Sequence, residues 1–392
     1  MHLLSTSTGS ETPLAMPFIL STILGVALIL LALYDAFETL VLPRRVTRRL
    51  RIARAYFRTA WNVWRWLCDL LPPGRKRESA LSVFGPLSLF GLFTSWVAMI
   101  VTGFALLHWW GTTLTPPSND DFRQCLYHSG ETFFTLGYGD VTPVTYGGKL
   151  LAVVEAGIGF GFMAVVIGYL PVLYQAFSNR ERSISLLDAR AGSPPTAIEL
   201  WRRFGHLAER HETDRFLAEW EIWSAELLES HLSFPVLCYY RSQHDNQSWL
   251  AALALVLDAS SMLLVRGAQE SRIRAQLTFA MARHAAVDMC LVFKLPPRNP
   301  PSERLTDDEI RQLFGSDEAR RVSEDQIRQL RELQAIYEPF LQALADYFQL
   351  YLPRFVSDRP TVDNWQTSPW TTRAPRLQML AHDERETNEH FQ

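Results

Sequence analysis

Three long stretches of apolar residues constrain this chain more than any other feature. They run from Pro17 to about Leu42, from about Ala80 to Trp110 and from about Lys149 to Phe177. The hydrocarbon core of a bilayer is about 30 Å thick, and a helix of about 20 mostly apolar residues crosses it. Each stretch is long enough, so the sequence predicts three transmembrane helices.

A cleaved signal peptide is the alternative for the first stretch. Such a leader has a positively charged start, followed by an apolar segment of about 7–15 residues. No lysine or arginine precedes Pro17, and the apolar run that follows is longer than this. We therefore expect the first stretch to be a transmembrane helix.

The link between the first two apolar stretches is strongly basic. Ten arginines and one lysine lie between Arg44 and Arg77, against the single acid Asp69, although the whole chain has a net charge of only −3. Basic residues close to span ends stay on the cytoplasmic side, and a basic block beside apolar runs favours anionic lipid over nucleic acid. We expect the N-terminus outside, the C-terminal region in the cytoplasm, and the chain in a plasma or inner membrane.

Residues 44–79 of this link have the pattern of an amphipathic helix. Apolar residues recur at steps of four and three from Val46 to Leu71, with arginines between them. This pattern is typical of a helix that lies on the inner leaflet. The arginines predicted to face the membrane surface are Arg44, Arg45, Arg48, Arg49, Arg51, Arg54 and Arg58.

A voltage-sensing helix is the alternative for this segment, because arginines recur at every third position from Arg45 to Arg54. Such a helix needs acidic partners on neighbouring spans, and only Asp35 and Glu38 are available. The interfacial helix is therefore favoured. We expect the two acids to pair with its arginines near the membrane interface.

The run TLGYGD, residues 135–140, lies between the second and third apolar stretches and is called the filter run below. Irregular backbone is tolerated at membrane depth only where it lines a water- or ion-filled space. Gly137 and Gly139 can adopt left-handed torsions, which keep successive carbonyl groups on one side. Such a row of carbonyls can replace the hydration shell of a cation. Asp140 adds a negative charge at the outer mouth, so the run predicts a backbone filter for a monovalent cation.

The filter run and its flanking spans resemble the signature of the tetrameric potassium channel superfamily, in its two-span-plus-pore-loop bacterial form. The resemblance covers about residues 80–177, and Leu136 stands where valine or isoleucine is usual. It implies a homotetramer with K+ as the permeant ion and no other cofactor. The implied selectivity filter is Thr135, Leu136, Gly137, Tyr138, Gly139 and Asp140, with K+ held at Thr135, Leu136, Gly137 and Tyr138.

The resemblance also assigns roles to residues around the filter run. It implies a pore helix over about 121–134, in which Glu131 supports the filter as a carboxyl paired with Asp140; a water-linked polar residue is the alternative. It implies a hinge of the inner helix at Gly159, whereas close helix packing is the alternative for a small residue in a span. Glu155 is an ionisable group within a span and is expected to be functional, with its role left open.

Beyond Phe177 the pattern changes to amphipathic helices, and residues 180–357 are predicted to form a cytosolic helical domain. Helices are expected over about 197–230, 249–265 and 270–293, and capping boxes at 306–309 and 323–326 open two more, the second reaching about 351. The sequence has no strand-helix alternation and no GxGxxG motif here, so a nucleotide-binding domain is not expected. Residues 358–392 are polar and dotted with proline, which predicts a flexible tail.

The C-terminal half offers only weak candidates for a ligand site. His284 and Asp288 lie one helical turn apart and could bind a divalent cation. The four cysteines are scattered without a CxxC pair, which favours free thiols. Since the sequence has no nucleophile elbow, zinc signature or phosphate loop, we do not expect an enzyme. A cytosolic ligand or protein partner is left open.

Together these features predict an all-α membrane protein with three transmembrane helices, a re-entrant pore loop and a cytosolic helical bundle. The predicted segments are the N-terminal tail and first span (1–43), the interfacial helix (44–79), the pore domain (80–179), the cytosolic domain (180–357) and the tail (358–392). The predicted function is a K+-selective channel, gated by its inner helix and by the cytosolic domain acting through residues 178–187. A poorly conducting, channel-like sensor or scaffold is the alternative.

Overall fold

The computed structural model describes residues 15–42, 52–111, 114–115, 122–205, 210–244, 246–267, 269–314 and 322–356. The described residues are mostly helical. The chain divides into two compact units, Met1–Gln175 and Ala176–Gln392. The boundary lies close to residue 179, where the sequence predicts the pore domain to end. The predicted tail, 358–392, lies outside the described residues.

In the first unit, long helices alternate with short connecting elements. In chain order these are α1 (Ala15–Leu40), α2 (Ile52–Asp69), α3 (Arg75–Gly111), β1 (Leu114–Thr115), α4 (Phe122–Phe133), β2 (Thr142–Pro143) and α5 (Tyr146–Ala191). Helix α5 includes residues of both units. Strands β1 and β2 pair antiparallel, with Leu114 opposite Pro143. This pairing joins the segment before α4 to the segment that follows the filter run.

Four helices among the described residues are long and apolar enough to cross a membrane: Phe18–Leu40, Arg75–Trp109, Tyr146–Ala191 and Trp249–Arg266. The first three coincide with the predicted spans. The fourth belongs to the second unit, where 89% of its most apolar window is buried. A helix that is apolar on all sides is either a membrane span or a core helix, and its enclosure by neighbouring helices suits a core helix. The count of three spans stays a prediction.

Helices α1 and α3 pack backbone to backbone. A Cβ placed on Gly25 would lie 2.7 Å from the carbonyl oxygen of Gly103, and a Cβ on Gly103 would lie 2.8 Å from the oxygen of Gly25. Small residues allow spans to approach this closely. The first span is therefore packed directly on the helix that precedes α4.

Asp35 of α1 joins three helices. Its carboxylate accepts hydrogen bonds from the backbone amides of Ile52 and Ala53 at 3.0 Å, and from Trp96 Nε1 of α3 at 2.9 Å. The first amides of a helix lack intrahelical partners, so a buried carboxylate at this position satisfies them. The sequence predicted ion pairs with arginines for both acids. The described contacts give Asp35 a capping role and bring the hydroxyl of Tyr34 to within 2.7 Å of Glu38.

Helix α2 lies against α3 along one face and exposes the other. Ala53, Trp61 and Cys68 are buried, whereas Arg58 is exposed and Trp66 is 62% exposed. This two-sided character agrees with the predicted amphipathic pattern. Arg54 is half-buried in α2. The other predicted surface arginines, Arg44, Arg45, Arg48, Arg49 and Arg51, lie outside the described residues.

The second unit is built around the buried helix α8. In chain order it contains the end of α5, α6 (Ala197–Gly205), α7 (Arg210–Ser233), a 3₁₀ helix (Pro235–Tyr239), α8 (Trp249–Arg266), α9 (Gln269–Phe293), α10 (Asp307–Phe314), α11 (Glu324–Ala335) and α12 (Glu338–Phe348). Ser248 caps α8 by accepting a hydrogen bond from the amide of Ala251. The unit is helical, as the sequence predicts.

Two of the long helices predicted in this unit are each described as two shorter ones. For the predicted helix 197–230, the described residues form α6 and α7, and residues 206–209 between the two lie outside the described part of the chain. The helix predicted to reach residue 351 is interrupted at Ile336 and Tyr337, because Pro339 lies in the first turn of α12 and proline provides no amide hydrogen for a continuous helix. Both predicted capping boxes are confirmed, at Thr306 with Glu309 and at Ser323 with Gln326.

A buried arginine organises the core of the second unit. Arg304 donates to both carboxylate oxygens of Asp258, at 2.6 and 3.1 Å, and to the carbonyl oxygen of Pro353 at 2.8 Å. Tyr337 donates to the same aspartate at 2.8 Å. Glu338 lies 3.4 Å from Arg304, and its burial raises the pKa of this carboxyl to about 7 in spite of the arginine. Buried charges are tolerated when they are paired in this way.

Candidate ion pathway

Helix α4 delivers the chain to the filter run and ends there. The amides of Phe134, Thr135 and Leu136 donate to carbonyl oxygens of the last turn of the helix, at 2.8–3.1 Å. Residues 136–139 then have no regular secondary structure, and β2 and α5 follow. The filter run is therefore an irregular segment fixed at one end by a helix and at the other by a strand pair.

Left-handed and ordinary backbone torsions alternate along the filter run. The φ angles of Thr135, Gly137 and Gly139 are 57°, 61° and 78°, whereas Leu136 and Tyr138 have no positive φ. The two glycines adopt the torsions that the sequence predicts. Thr135 was not predicted to do so, because a left-handed residue with a side chain costs about 1–2 kcal/mol. Such strain is typical of functional segments.

The filter run is exposed in the single chain. All six residues are exposed, and the side chains of Leu136 and Tyr138 are 56% and 71% exposed. In the described residues, a Cβ placed on Gly137 or Gly139 would meet nothing within 4 Å. Its carbonyl groups are therefore open to a ligand or to another chain.

Of the two acids to which the resemblance assigns roles, Glu131 precedes the filter run and Asp140 is its last residue. Asp140 is exposed, and its carboxylate oxygens accept a hydrogen bond from the Tyr127 hydroxyl at 3.2 and 3.3 Å. Glu131 is buried, and its Oε1 lies 3.5 Å from Nδ1 of His128. The contacts described for Glu131 and Asp140 are thus to these neighbours. A direct pair between the two acids stays a prediction.

A cluster of polar side chains is buried between α3, α4 and α5. Glu155 of α5 contacts the hydroxyl of Ser129 in α4, and its other oxygen lies 3.4 Å from His108 Nε2 of α3. The rings of His108 and His128 meet edge to face at 4.9 Å between centroids. Sequence reasoning identified Glu155 as functional, but not its partners. Only the packing of three helices brings these residues together.

At Gly159 the backbone of α5 lies close to the end of α4. A Cβ placed there would lie 3.0 Å from the carbonyl carbon of Phe133, 3.1 Å from its Cα and nearer still to its oxygen. In contrast, Gly157, Gly161 and Gly168 have open space around them in the described chain. The structure therefore supplies a packing reason for glycine at position 159. The predicted hinge there stays a prediction.

The candidate divalent site in the second unit is an exposed pair. His284 Nε2 lies 3.7 Å from Asp288, and the histidine side chain is 60% exposed. In the described part of the chain, no group of three His, Cys, Asp or Glu side chains could hold a metal ion. Two ligands on a solvated helix face provide little of a coordination shell. All four cysteines are described, and each is a buried thiol outside any disulfide.

Comparison with known proteins points to the same region. Residues 90–175 match a family model described as "Ion channel". An uncharacterized membrane protein of Bacillus subtilis (strain 168), YdjJ, is 28% identical over 211 residues, which cover 52% of this chain and 60% of that protein. The chain thus spans less than two thirds of this relative. No solved structure matches significantly.

The matched residues include most of α3, all of α4, the filter run and α5 as far as the end of the first unit. The match shows that this part of the chain is similar to ion channels. The apolar helices and the membrane relative identify a membrane protein.

Proposed function

We propose that this chain is the subunit of a potassium-selective channel, in which dehydrated K+ passes along the carbonyl groups of Thr135, Leu136, Gly137 and Tyr138. The alternation of left-handed and ordinary torsions in the filter run carries this proposal. Mirror-image torsions at every second residue turn successive carbonyl groups to the same side. A row of such oxygens can replace the water around a cation.

Four copies of the chain form the channel in this proposal. Each chain contributes one filter run, whereas a ring of carbonyls around an ion is built from four. The exposure of the filter run in the single chain supports assembly. The side chains of Val153, Phe160 and Ile167 in α5 are also 69%, 72% and 65% exposed. In a tetramer such apolar residues pack on neighbouring chains or line the cavity.

In this proposal the channel lies in a plasma or inner membrane, with the N-terminus outside and the second unit in the cytoplasm, and the basic link between α1 and α3 supports this orientation. The exposed Arg58 and Trp66 of α2 support an interfacial position, because arginine attracts anionic lipid and tryptophan prefers the headgroup level. In this arrangement α5 is the inner helix. Gating is proposed to act through residues 178–187 of α5, in response to a cytosolic ligand or protein partner of the second unit.

Vesicles that contain the purified full-length chain provide the test. We expect flux of K+ well above that of Na+, and equal flux of the two ions would contradict the proposal. Gly137→Ala forces a side chain into a left-handed torsion, at about 1–2 kcal/mol in each chain, and should reduce K+ flux about tenfold or more.

Gly147→Ala is the matched control, because Gly147 lies in the first turn of α5 and a Cβ there meets nothing within 4 Å in the described chain. It should conduct like the wild type. A sensor or scaffold that conducts little would instead keep its cellular phenotype in Gly137→Ala.

A further inference from the structure

Five polar side chains with almost no exposed surface meet behind the filter run. His108 and Glu155 are 0% exposed, Ser129 is 0%, His128 is 4% and Glu131 is 5% exposed. They come from three different helices, α3, α4 and α5. Buried polar groups are costly unless they are hydrogen-bonded. Their arrangement therefore constrains which of them carry protons.

The two contacts of the Ser129 hydroxyl bear on whether Glu155 carries a proton. Its Oγ lies 2.8 Å from the carbonyl oxygen of Val101 and also contacts Oε1 of Glu155. A serine hydroxyl has one proton to donate, and the carbonyl can only accept it. If Ser129 donates to Val101, then Glu155 must donate the second hydrogen bond, which requires a protonated carboxyl group.

The surroundings of Glu155 favour this assignment. No arginine or lysine is among its described contacts, and its second oxygen faces Nε2 of His108 at 3.4 Å. A neutral imidazole with its proton on Nε2 can donate toward that oxygen. Among the contacts of the described residues, the other titratable groups that face the cluster are His128 and Glu131 of α4, which lie 3.5 Å from each other. A neutral carboxyl is cheaper to bury here than a carboxylate.

We propose that a protonated Glu155 is a positioning residue of the ion pathway, which holds α4 in place by donating a hydrogen bond to Ser129. If Glu155 ionised, the Ser129 hydroxyl would donate to the carboxylate instead of to the carbonyl of Val101. The lost hydrogen bond to Val101 would loosen α4. This inference rests on the proposed function only in so far as α4 positions a conducting filter. The protonation state itself is independent of conduction.

The register of the two helices connects this contact to the filter run. Ser129 contacts Glu155, and four residues further along each helix Phe133 meets Gly159. Residues four apart lie on the same face of a helix, so α4 and α5 touch at two successive turns. Thr135, the first residue of the filter run, lies two residues beyond the second contact. A shift of α4 at Ser129 is therefore transmitted to the start of the filter run.

The test compares Glu155→Gln with Glu155→Ala in the full-length chain. Glutamine keeps the shape of a protonated glutamic acid, with an NH2 group to donate to Ser129 and an oxygen to face His108. We expect Glu155→Gln to conduct with wild-type selectivity. We expect Glu155→Ala and Ser129→Ala to lower the K+ over Na+ permeability ratio about tenfold, the effect of about 1.4 kcal/mol from one lost buried hydrogen bond.

Selectivity measured over a series of pH values gives a second test. It would not depend on the ionisation of Glu155 if this residue had only a structural role. Wild-type selectivity should fall as rising pH ionises Glu155, whereas Glu155→Gln should keep it because glutamine cannot ionise. Changes with pH that do not depend on Glu155 should be common to both proteins. If Glu155→Gln is as impaired as Glu155→Ala, or if it falls with rising pH like the wild type, the proposal is wrong.

Infrared difference spectra separate this inference from the proposed function. The wild-type protein at neutral pH should show a protonated carboxyl band that is absent from Glu155→Gln and displaced in Ser129→Ala. This result would support the proposal even if the wild type passed no ions. The same carboxyl band in wild type and Glu155→Gln would overturn it, whatever the flux.

Discussion

The contact between Gly159 and Phe133 gives the most detailed prediction. A Cβ at position 159 would lie 3.0 and 3.1 Å from the carbonyl carbon and Cα of Phe133, with the oxygen nearer still. Overpacking typically costs about 1–3 kcal/mol, and backbone atoms at the end of α4 cannot rotate away as a side chain could. We therefore expect Gly159→Ala to lose about 3 kcal/mol through this clash.

Gly161→Ala is the control that isolates the clash. Both substitutions replace glycine within α5 and gain about 1 kcal/mol of helix propensity, but a Cβ at Gly161 meets nothing within 4 Å in the described chain. Thermal unfolding of the purified full-length variants should differ by about 6–12 °C, since a domain of 150–250 residues shifts by about 2–4 °C per kcal/mol. Gly159→Ala should also lose K+ selectivity, because Phe133 lies only two residues before the start of the filter run.

A hinge at Gly159 predicts a different outcome. Alanine would then restrict bending of the inner helix and alter how often the channel opens, without a loss of stability relative to Gly161→Ala. Equal melting temperatures of the two variants would refute the packing argument. A lower melting temperature with unchanged selectivity would refute the link from Phe133 to the filter run.

Two further predictions concern buried carboxyl groups. Asp35→Ala removes the carboxylate that accepts hydrogen bonds from two backbone amides and from the indole NH of Trp96. At about 1–3 kcal/mol for each buried donor, the free energy of unfolding should fall by about 3 kcal/mol or more. Asp35→Asn keeps one oxygen and should lose less, and equal melting temperatures of Asp35→Ala and wild type would contradict the capping role. Burial raises the pKa of the Glu338 carboxyl from 4.5 to about 7, so the folded state binds this proton more tightly than the unfolded state does. The protonated carboxyl therefore stabilises the fold fully below about pH 4.5, and this contribution is lost as the pH rises through about 7. Glu338→Gln should remove that slope from unfolding free energies measured on the full chain, and an unchanged slope would show that another group titrates.

The elements that could be predicted are those whose cause is local. The left-handed torsions of Gly137 and Gly139 could be predicted because glycine adopts positive φ without strain. The Ser323 capping box could be predicted because its two side chains are three residues apart. The left-handed torsion of Thr135 could not be predicted, because its own preference opposes it. Pro339 is a local indication of the interruption before α12, but the prediction of one long helix did not take it into account.

The partners of buried polar groups depend on helix packing and are not visible in the sequence. Asp35 is near many arginines along the chain, and its described partners in the fold include the amides of Ile52 and Ala53 and the distant Trp96. Glu155 likewise meets Ser129 and His108 only because three helices converge. Sequence position identified both acids as unusual; their roles came from tertiary contacts.

The reversal potential of the purified full-length chain in a planar bilayer, with K+ on one side and Na+ on the other, tests the central claim most directly. The potential shifts by about 59 mV for each tenfold preference for one monovalent ion. A backbone filter at Thr135 to Tyr138 predicts a shift of more than about 59 mV toward K+. A current that reverses near 0 mV would contradict potassium selectivity.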